Sequence, residues 1–307
     1  MADQVARFRA DLEALTGGAP ERLGLAVSGG PDSLALLLLG HAAYPGRIHA
    51  ATVDHGLRPE AAAEAAFVAG LCGARGIPHA ILRAGMVETA NIQAAARAHR
   101  YALLIQWIGE IGAAFLATAH HLDDQAETLI MRLMRGAGLA GLSGIRPINL
   151  PLVRPLLGWR REELAPIVRE AGIEPIADPS NQDARFDRAR LRPRLAQADW
   201  LKPEPLARSA GALAEAEAAM GWMVEQLRGE RVAGTPEGFT LDPAGLPAEL
   251  RRRLVLGIFA AMGRDLPRGE AVTRLLATLA DGGAATLVGV KCAGGRRWHF
   301  SPAPPRR

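Results

Sequence analysis

The chain has 307 residues, 49% of them apolar and 22% charged, and its 36 lysines and arginines exceed its 32 acids to give a net charge of +4. That is enough chain for two domains with separate cores, it excludes disorder throughout, and it permits a nucleic-acid partner without demanding one. Cys72 and Cys292 stand far apart in sequence. Neither a zinc motif nor a disulfide framework is therefore expected, and a reducing, cytoplasmic setting fits. No apolar run approaches the roughly 20 residues of a membrane span, and residues 1–15 carry acids where a signal peptide would be apolar, so no membrane partner is expected.

Residues 3–15 read as an amphipathic helix. Leu23–Val27 is a short apolar run suited to one buried strand, Ser28–Asp32 is a turn with adjacent glycines, and from Ser33 the Leu- and Ala-rich chain reads as a helix up to Gly40. Strand, glycine turn and helix in that order make a phosphate cradle: backbone N–H groups can approach an anion, and the first helical turn presents unpaired donors. The turn has no lysine, so it is not the GxxxxGKS/T loop, and it does not fit GxGxxG. Its sequence, Ser28-Gly29-Gly30-Pro31-Asp32-Ser33, resembles the pyrophosphate loop of the N-type ATP pyrophosphatases. Those enzymes cut ATP between its α and β phosphates and adenylate a substrate. The alternative is an ordinary strand–helix turn with no ligand.

A second strand is expected at Arg47–Val53, ending in Asp54-His55-Gly56-Leu57-Arg58-Pro59. A helix over 60–75, a strand at Pro78–Leu82, a helix over Asn91–Ile108, a strand at Ala113–Ala117 and a helix over Asp123–Arg135 follow. Strands alternating with helices predict an α/β fold with a doubly wound, mostly parallel sheet. Ligands of such sheets sit beyond the carboxyl ends of the strands. SGGPDS, DHGLR and AHHLDD each follow an expected strand and should converge on one crevice, which makes Asp54 and His55 further cofactor-binding candidates.

Gly136–Gly144 is glycine-rich and aperiodic; it reads either as a surface loop or as a segment that orders near the site. Residues 160–171 read as a helix. Between Arg185 and Arg194 five arginines surround Phe186 and Asp187. That pattern suits phosphate contact with stacking, or a solvated helix face. Lys202-Pro203-Glu204-Pro205 is the expected boundary between a catalytic domain, 1–201, and a smaller accessory α+β domain, 202–307. The second domain should hold a long helix over 206–229, helices near 247–262 and 268–280, and a hairpin turning at Gly294-Gly295.

Within AHHLDDQAET, helical spacing puts Asp124 and Glu127 on one face. Two carboxylates there can hold Mg²⁺ or pair with a substrate ammonium. Mg²⁺ takes one or two carboxylates plus phosphate oxygens, so a metal site split between Asp32 and Asp124 is chemically sensible. His120 and His121 read as helix caps or packing residues rather than zinc ligands. Arg97 and Arg100 could neutralise charge on ATP or at a reacting base, or face solvent.

The set SGGPDS, VDHGLR, ARAHRY, ATAHHLDDQAET with MRLMRGAGLAGLSG, RPLL and DPSN resembles the tRNA(Ile)-lysidine synthetase family over roughly residues 22–195. The resemblance implies ATP bound at Ser28–Ser33 with Mg²⁺ and adenylation of oxygen two of the wobble cytidine in an isoleucine tRNA with a CAU anticodon. Attack by the ε-amine of L-lysine on carbon two would then give lysidine. By position, Asp32 and Asp124 would serve Mg²⁺–ATP, Arg97 or Arg100 the adenylation, and Glu127 the lysine ammonium. Arg188-Ala189-Arg190-Leu191-Arg192 departs from the family's RNxLR, with alanine in place of asparagine. Two alternatives stay open: a tRNA thiolase, disfavoured by the isolated cysteines, and a non-catalytic nucleotide sensor. The oligomeric state is not fixed, and a homodimer is compatible with the sequence.

Overall fold

The computed structural model describes residues 1–54, 56, 60–84, 92–176, 187–267 and 269–303, without the side chains of 92–96, 187 and 196. Contacts divide it into two compact units, Met1–Ala214 and Glu215–Arg307.

The first unit runs α1 (Ala2–Thr16), β1 (Leu23–Ala26), α2 (Pro31–Ala43), β2 (Ile48–Asp54), α3 (Ala61–Gly73), β3 (His79–Arg83), α4 (Ile92–Glu110), β4 (Phe115–Ala117) and α5 (Leu122–Met134). It continues with α6 (Leu139–Leu142), β5 (Ile148–Asn149), β6 (Leu152–Val153), α7 (Arg161–Glu170), α8 (Asp187–Ala196) and the start of α9 (Pro203–Arg231). The sheet has the order β3-β2-β1-β4-β6-β5, parallel except for the edge pair β5–β6. The expected doubly wound α/β arrangement is thus present. The carboxyl ends of β2, β1, β4 and β6 line up side by side.

Both faces of this sheet are covered. Helix α2 is apolar around most of its circumference, and Leu34, Leu36, Leu37 and Leu39 are fully buried, as a helix sandwiched between a sheet and other helices must be. Its core includes Leu23, Leu25, Ile48, Phe8, Leu12, Leu164 and Ile167. On the other face, Leu104, Trp107 and Ile108 of α4 pack with Ala51, Leu116 and Leu152. Helix α2 begins two residues earlier than expected, because Pro31 suits the first helical position, where its missing N–H is not needed. It also runs through Gly40 to Ala43. A side chain at 40 would press within 3.1 Å of Leu25 Cδ1, so this glycine permits close helix–strand packing and does not end the helix.

The expected break at Lys202–Pro205 is instead the first turn of α9, where proline costs no hydrogen bond. In the second unit the remainder of α9 is followed by β7 (Val232–Thr235), β8 (Gly238–Leu241), α10 (Ala248–Ala261), α11 (Glu270–Ala280), β9 (Ala284–Leu287), β10 (Val290–Ala293) and β11 (Trp298–Pro302). Its antiparallel sheet has the order β7-β8-β11-β10-β9. Leu254, Val255, Ile258 and Phe259 of α10 close on Trp298, Phe300 and Cys292. The β10–β11 hairpin falls where Gly294-Gly295 predicts it, whereas β7–β8 has no counterpart in the sequence reading.

Candidate active site

The glycine turn is held in shape by its own serines and by a distant segment. Ser33 Oγ donates to the Gly30 carbonyl at 2.9 Å and accepts from the Ser28 N–H at 3.2 Å. Gly29 has φ +86, and a Cβ there would lie 2.3 Å from Ile176 Cδ1. The Ile176 N–H in turn donates to the Gly29 carbonyl at 3.0 Å. Gly30 is the N-cap of α2 and offers no side chain to it, so the first-turn amides keep their positive dipole end for an anion.

Across the edge from this turn, His121 caps α5. The backbone N–H of Asp124 approaches His121 Nδ1 at 3.4 Å, and the His121 N–H donates to Asp124 Oδ2 at 3.2 Å, a reciprocal capping box. The expectation of a helix cap is met, and the same residue does more. Its Nε2 lies 3.5 Å from Asp32 Oδ2 and 3.6 Å from Asp124 Oδ2. One imidazole nitrogen therefore lies between the glycine turn and α5 without a hydrogen bond to either among the described residues, and the two carboxylate oxygens lie within about 7 Å of each other. Burial raises the Asp32 pKa, but His121, Arg161 and Arg192 outweigh it and hold the carboxyl below its usual value. Burial likewise lowers His121, and Asp32, Asp124 and Asp123 outweigh that and raise it. Asp123 itself turns toward α7, where Oδ2 accepts from the Arg161 N–H at 2.8 Å and Oδ1 pairs with Arg160 at 3.2 Å.

Asp124 and Glu127 do share one face of α5, as the i, i+3 spacing predicts, and both are buried. They meet arginines of α8. Arg192 Nε donates to Glu127 Oε1 at 2.8 Å and its Nη2 lies 3.4 Å from Asp124 Oδ1. Arg188 Nη2 donates to the Thr128 hydroxyl at 2.8 Å. Part of the arginine cluster thus turns inward onto the acids, a direction no local pattern in the sequence carries. Arg190 and Arg194 instead line a cavity of about 340 Å³ with Met131, Met134, Arg135 and Leu191. Glu127 Oε2 and Asp32 Oδ1 are buried with no hydrogen-bond partner among the described residues.

His120 faces a different charge environment. Burial drives its pKa down to about 3; Asp124 opposes this, and Arg154, Arg97 and Arg188 add to it. The folded chain therefore refuses a proton that the unfolded chain accepts near pH 6.5. Stability is expected to fall as pH drops from 6.5 toward 3, by up to about 1 kcal/mol per pH unit from this group. Urea unfolding of the native protein and H120N across that range should show a shallower decline for the variant. Equal slopes would contradict the assignment.

Arg97 and Arg100 both lie over the Tyr101 ring, at 5.2 and 5.3 Å. Asp54 ends β2, and its Oδ1 accepts from the Gly56 N–H at 2.9 Å, shaping its own turn. His55 lies outside the described residues, as do Phe186 and DPSN. The Gly136–Gly144 stretch is tied down: Arg132 donates to the Gly141 and Gly144 carbonyls, and Gln125 exchanges hydrogen bonds with Ile145. For Mg²⁺ the donor set fits, with two carboxylates beside a phosphate cradle and one oxygen of Asp32 buried without a hydrogen-bond partner among the described residues.

The family model described as the PP-loop domain matches residues 3–199. A protein of Novosphingobium aromaticivorans named tRNA(Ile)-lysidine synthase is 49% identical, over 98% of this chain and 94% of its own length. One of the same name from Zymomonas mobilis is 44% identical over 93% and 90%. A solved structure of the U34-tRNA thiolase NcsA from Methanococcus maripaludis, with its 4Fe–4S cluster, aligns with a TM-score of 0.57 at 20% identity, covering 70% of this chain and 79% of that one; it shares the fold. In this chain Cys72 and Cys292 are buried in the cores of separate units, and burial pushes their thiols up to about 11 and about 12. They do not supply the reactive sulfur a thiolase reading would need. The glycine loop, the sheet order and relatives of high identity along nearly the whole chain agree: this chain belongs to the tRNA(Ile)-lysidine synthase family of ATP-using PP-loop enzymes.

Proposed function

We propose that the protein joins free L-lysine to carbon two of the wobble cytidine of tRNA(Ile) with a CAU anticodon, using ATP. Oxygen two of the cytidine attacks the α-phosphorus and pyrophosphate leaves. The lysine ε-nitrogen then attacks carbon two, and AMP departs with the former cytidine oxygen while the amine gives up its proton. The observation that carries this reading is the single imidazole of His121, whose Nε2 lies 3.5 Å from Asp32, beside the phosphate cradle, and 3.6 Å from Asp124, on the acid face of α5.

Ser28–Ser33 would hold the phosphates through backbone N–H groups. Asp32 and Asp124 would hold Mg²⁺, which when bound neutralises phosphate charge. Arg97 or Arg100 would face the charge that develops during adenylation. Glu127 would take the lysine ammonium. Arg192 holds Oε1, whereas Oε2 makes no hydrogen bond among the described residues, with Arg188 Nε 4.0 Å away, and is the oxygen that would take this role. Glu127→Gln should therefore raise the KM for lysine at least tenfold, with the KM for ATP changed much less. An unchanged lysine KM would remove Glu127 from this role. The function itself is tested by incubating protein, ATP, Mg²⁺ and labelled lysine with unmodified isoleucine tRNA. Label should stay with acid-precipitated RNA and vanish when the wobble base is uridine. Label absent from the cytidine RNA would refute the reading.

A further inference from the structure

At the carboxyl end of β6 stands a cation that the reading above does not use. Arg154 follows Val153 directly and is 8% exposed. Its Nη1 donates to the Arg146 carbonyl at 2.5 Å, but its Nε is buried with no hydrogen-bond partner among the described residues. No described carboxylate forms an ion pair with it. Burial lowers its pKa, the Tyr101 phenol supports its charge, and Arg97 adds like charge from α4.

The register places this arginine at the cleft. Ala117 pairs with Val153, and the Thr118 N–H donates to the Val153 carbonyl at 3.1 Å, so Arg154 stands next to the turn that carries His120. Thr118 Oγ1 and His120 Nδ1 are 2.9 Å apart. One rim of the strand-end crevice therefore carries Arg154, Arg97, Tyr101 and His120, the last within reach of the Asp124 charge. The other carries Asp32, Asp124 and Glu127. A guanidinium this deeply buried is ordinarily paired with a carboxylate, because desolvating an unpaired charge is costly. Its planar fork matches two oxygens of a phosphate group.

We propose that Arg154, with Arg97 at its outer side, is a second phosphate-binding subsite, separate from the glycine loop, that takes a phosphate or phosphodiester oxygen of a substrate. It rests on the reading that nucleotide and RNA meet in this crevice. Strands lie about 4.8 Å apart, and β6 is two strands from β1, so the subsite sits about 10 Å along the edge from the glycine loop. A phosphate of ATP and a backbone phosphate of the RNA offer the same chemistry.

Direct binding separates the two sources. The affinities of the native protein, R154M, R154K and R97M are measured for inorganic pyrophosphate, ATP, adenosine and tRNA(Ile), with melting temperatures alongside. If ATP is the source, R154M weakens ATP binding at least tenfold, leaves adenosine and tRNA within twofold, and R154K recovers part of the loss. If RNA is the source, R154M weakens tRNA binding at least tenfold and lowers its logarithmic salt slope by about one. In that case ATP and pyrophosphate are unchanged. Should R154M fail to fold, R97M carries the test, since Arg97 is exposed; it should weaken the same anion at least threefold. Native-like binding of ATP, pyrophosphate and tRNA by R154M, or by R97M where R154M does not fold, overturns the subsite. So does an R154M loss that is equal for adenosine and ATP. A native protein that bound neither ATP nor tRNA would sink the functional reading as well, which distinguishes the two failures.

Discussion

Asp32→Asn should cut tRNA-dependent exchange of pyrophosphate into ATP by a factor of about 10²–10³. Asp32 sits in the first turn of α2, directly after the glycine loop, with one carboxylate oxygen 3.5 Å from His121 Nε2 and the other buried without a hydrogen bond among the described residues, 4.0 Å from Arg161 Nε. Removing its charge takes away half of the proposed cation site beside the phosphates. An electrostatic group aimed at developing charge in a partly desolvated site is typically worth about 3–4 kcal/mol, which corresponds to that factor. The fold should survive, because asparagine preserves the shape and a neutral amide can still contact the imidazole. Circular dichroism and melting temperature should therefore stay near native while exchange falls. Exchange within tenfold of native would show that Asp32 is not part of the chemistry.

Arg192→Met is expected to have the largest effect on stability. Its guanidinium bridges Glu127 and Asp124, both buried, and ties α8 to α5. Removing one partner of a buried ion pair leaves uncompensated charge, which costs about 3–5 kcal/mol; the lower end applies because Arg188 remains within about 4 Å of both acids. For a unit of this size that lowers the melting temperature by about 6–12 °C. Adding Glu127→Gln to the same chain should restore part of the loss, since the orphaned carboxylate is then gone. Additive losses in the double variant would mean that the pair is not coupled.

Much of this arrangement is legible in the sequence, and the reasons are local. The Leu23–Val27 run, the glycine turn and the apolar helix after it are consecutive, so their order alone implies a βα cradle. Asp124 and Glu127 could be placed on one face because helical spacing is a local property. The limits are equally physical. Strands β5 and β6 have two residues each and carry no period to detect. Arg188 and Arg192 belong to a cluster whose composition suggests phosphate contact; that they turn onto acids some 60 positions earlier depends on how α8 packs against α5. His121 shows from sequence as a cap, whereas its contact with Asp32 requires β1 and β4 to be neighbours. Arg154 gains meaning only once the register sets it beside Thr118.

The central claim is that the phosphate cradle and the acid face of α5 form one crevice in which the RNA base, and not lysine, is adenylated. Exchange of labelled pyrophosphate into ATP tests it most directly, measured with isoleucine tRNA alone and with lysine alone. Exchange is expected with tRNA in the absence of lysine, and none with lysine in the absence of tRNA. Exchange driven by lysine without RNA would contradict it.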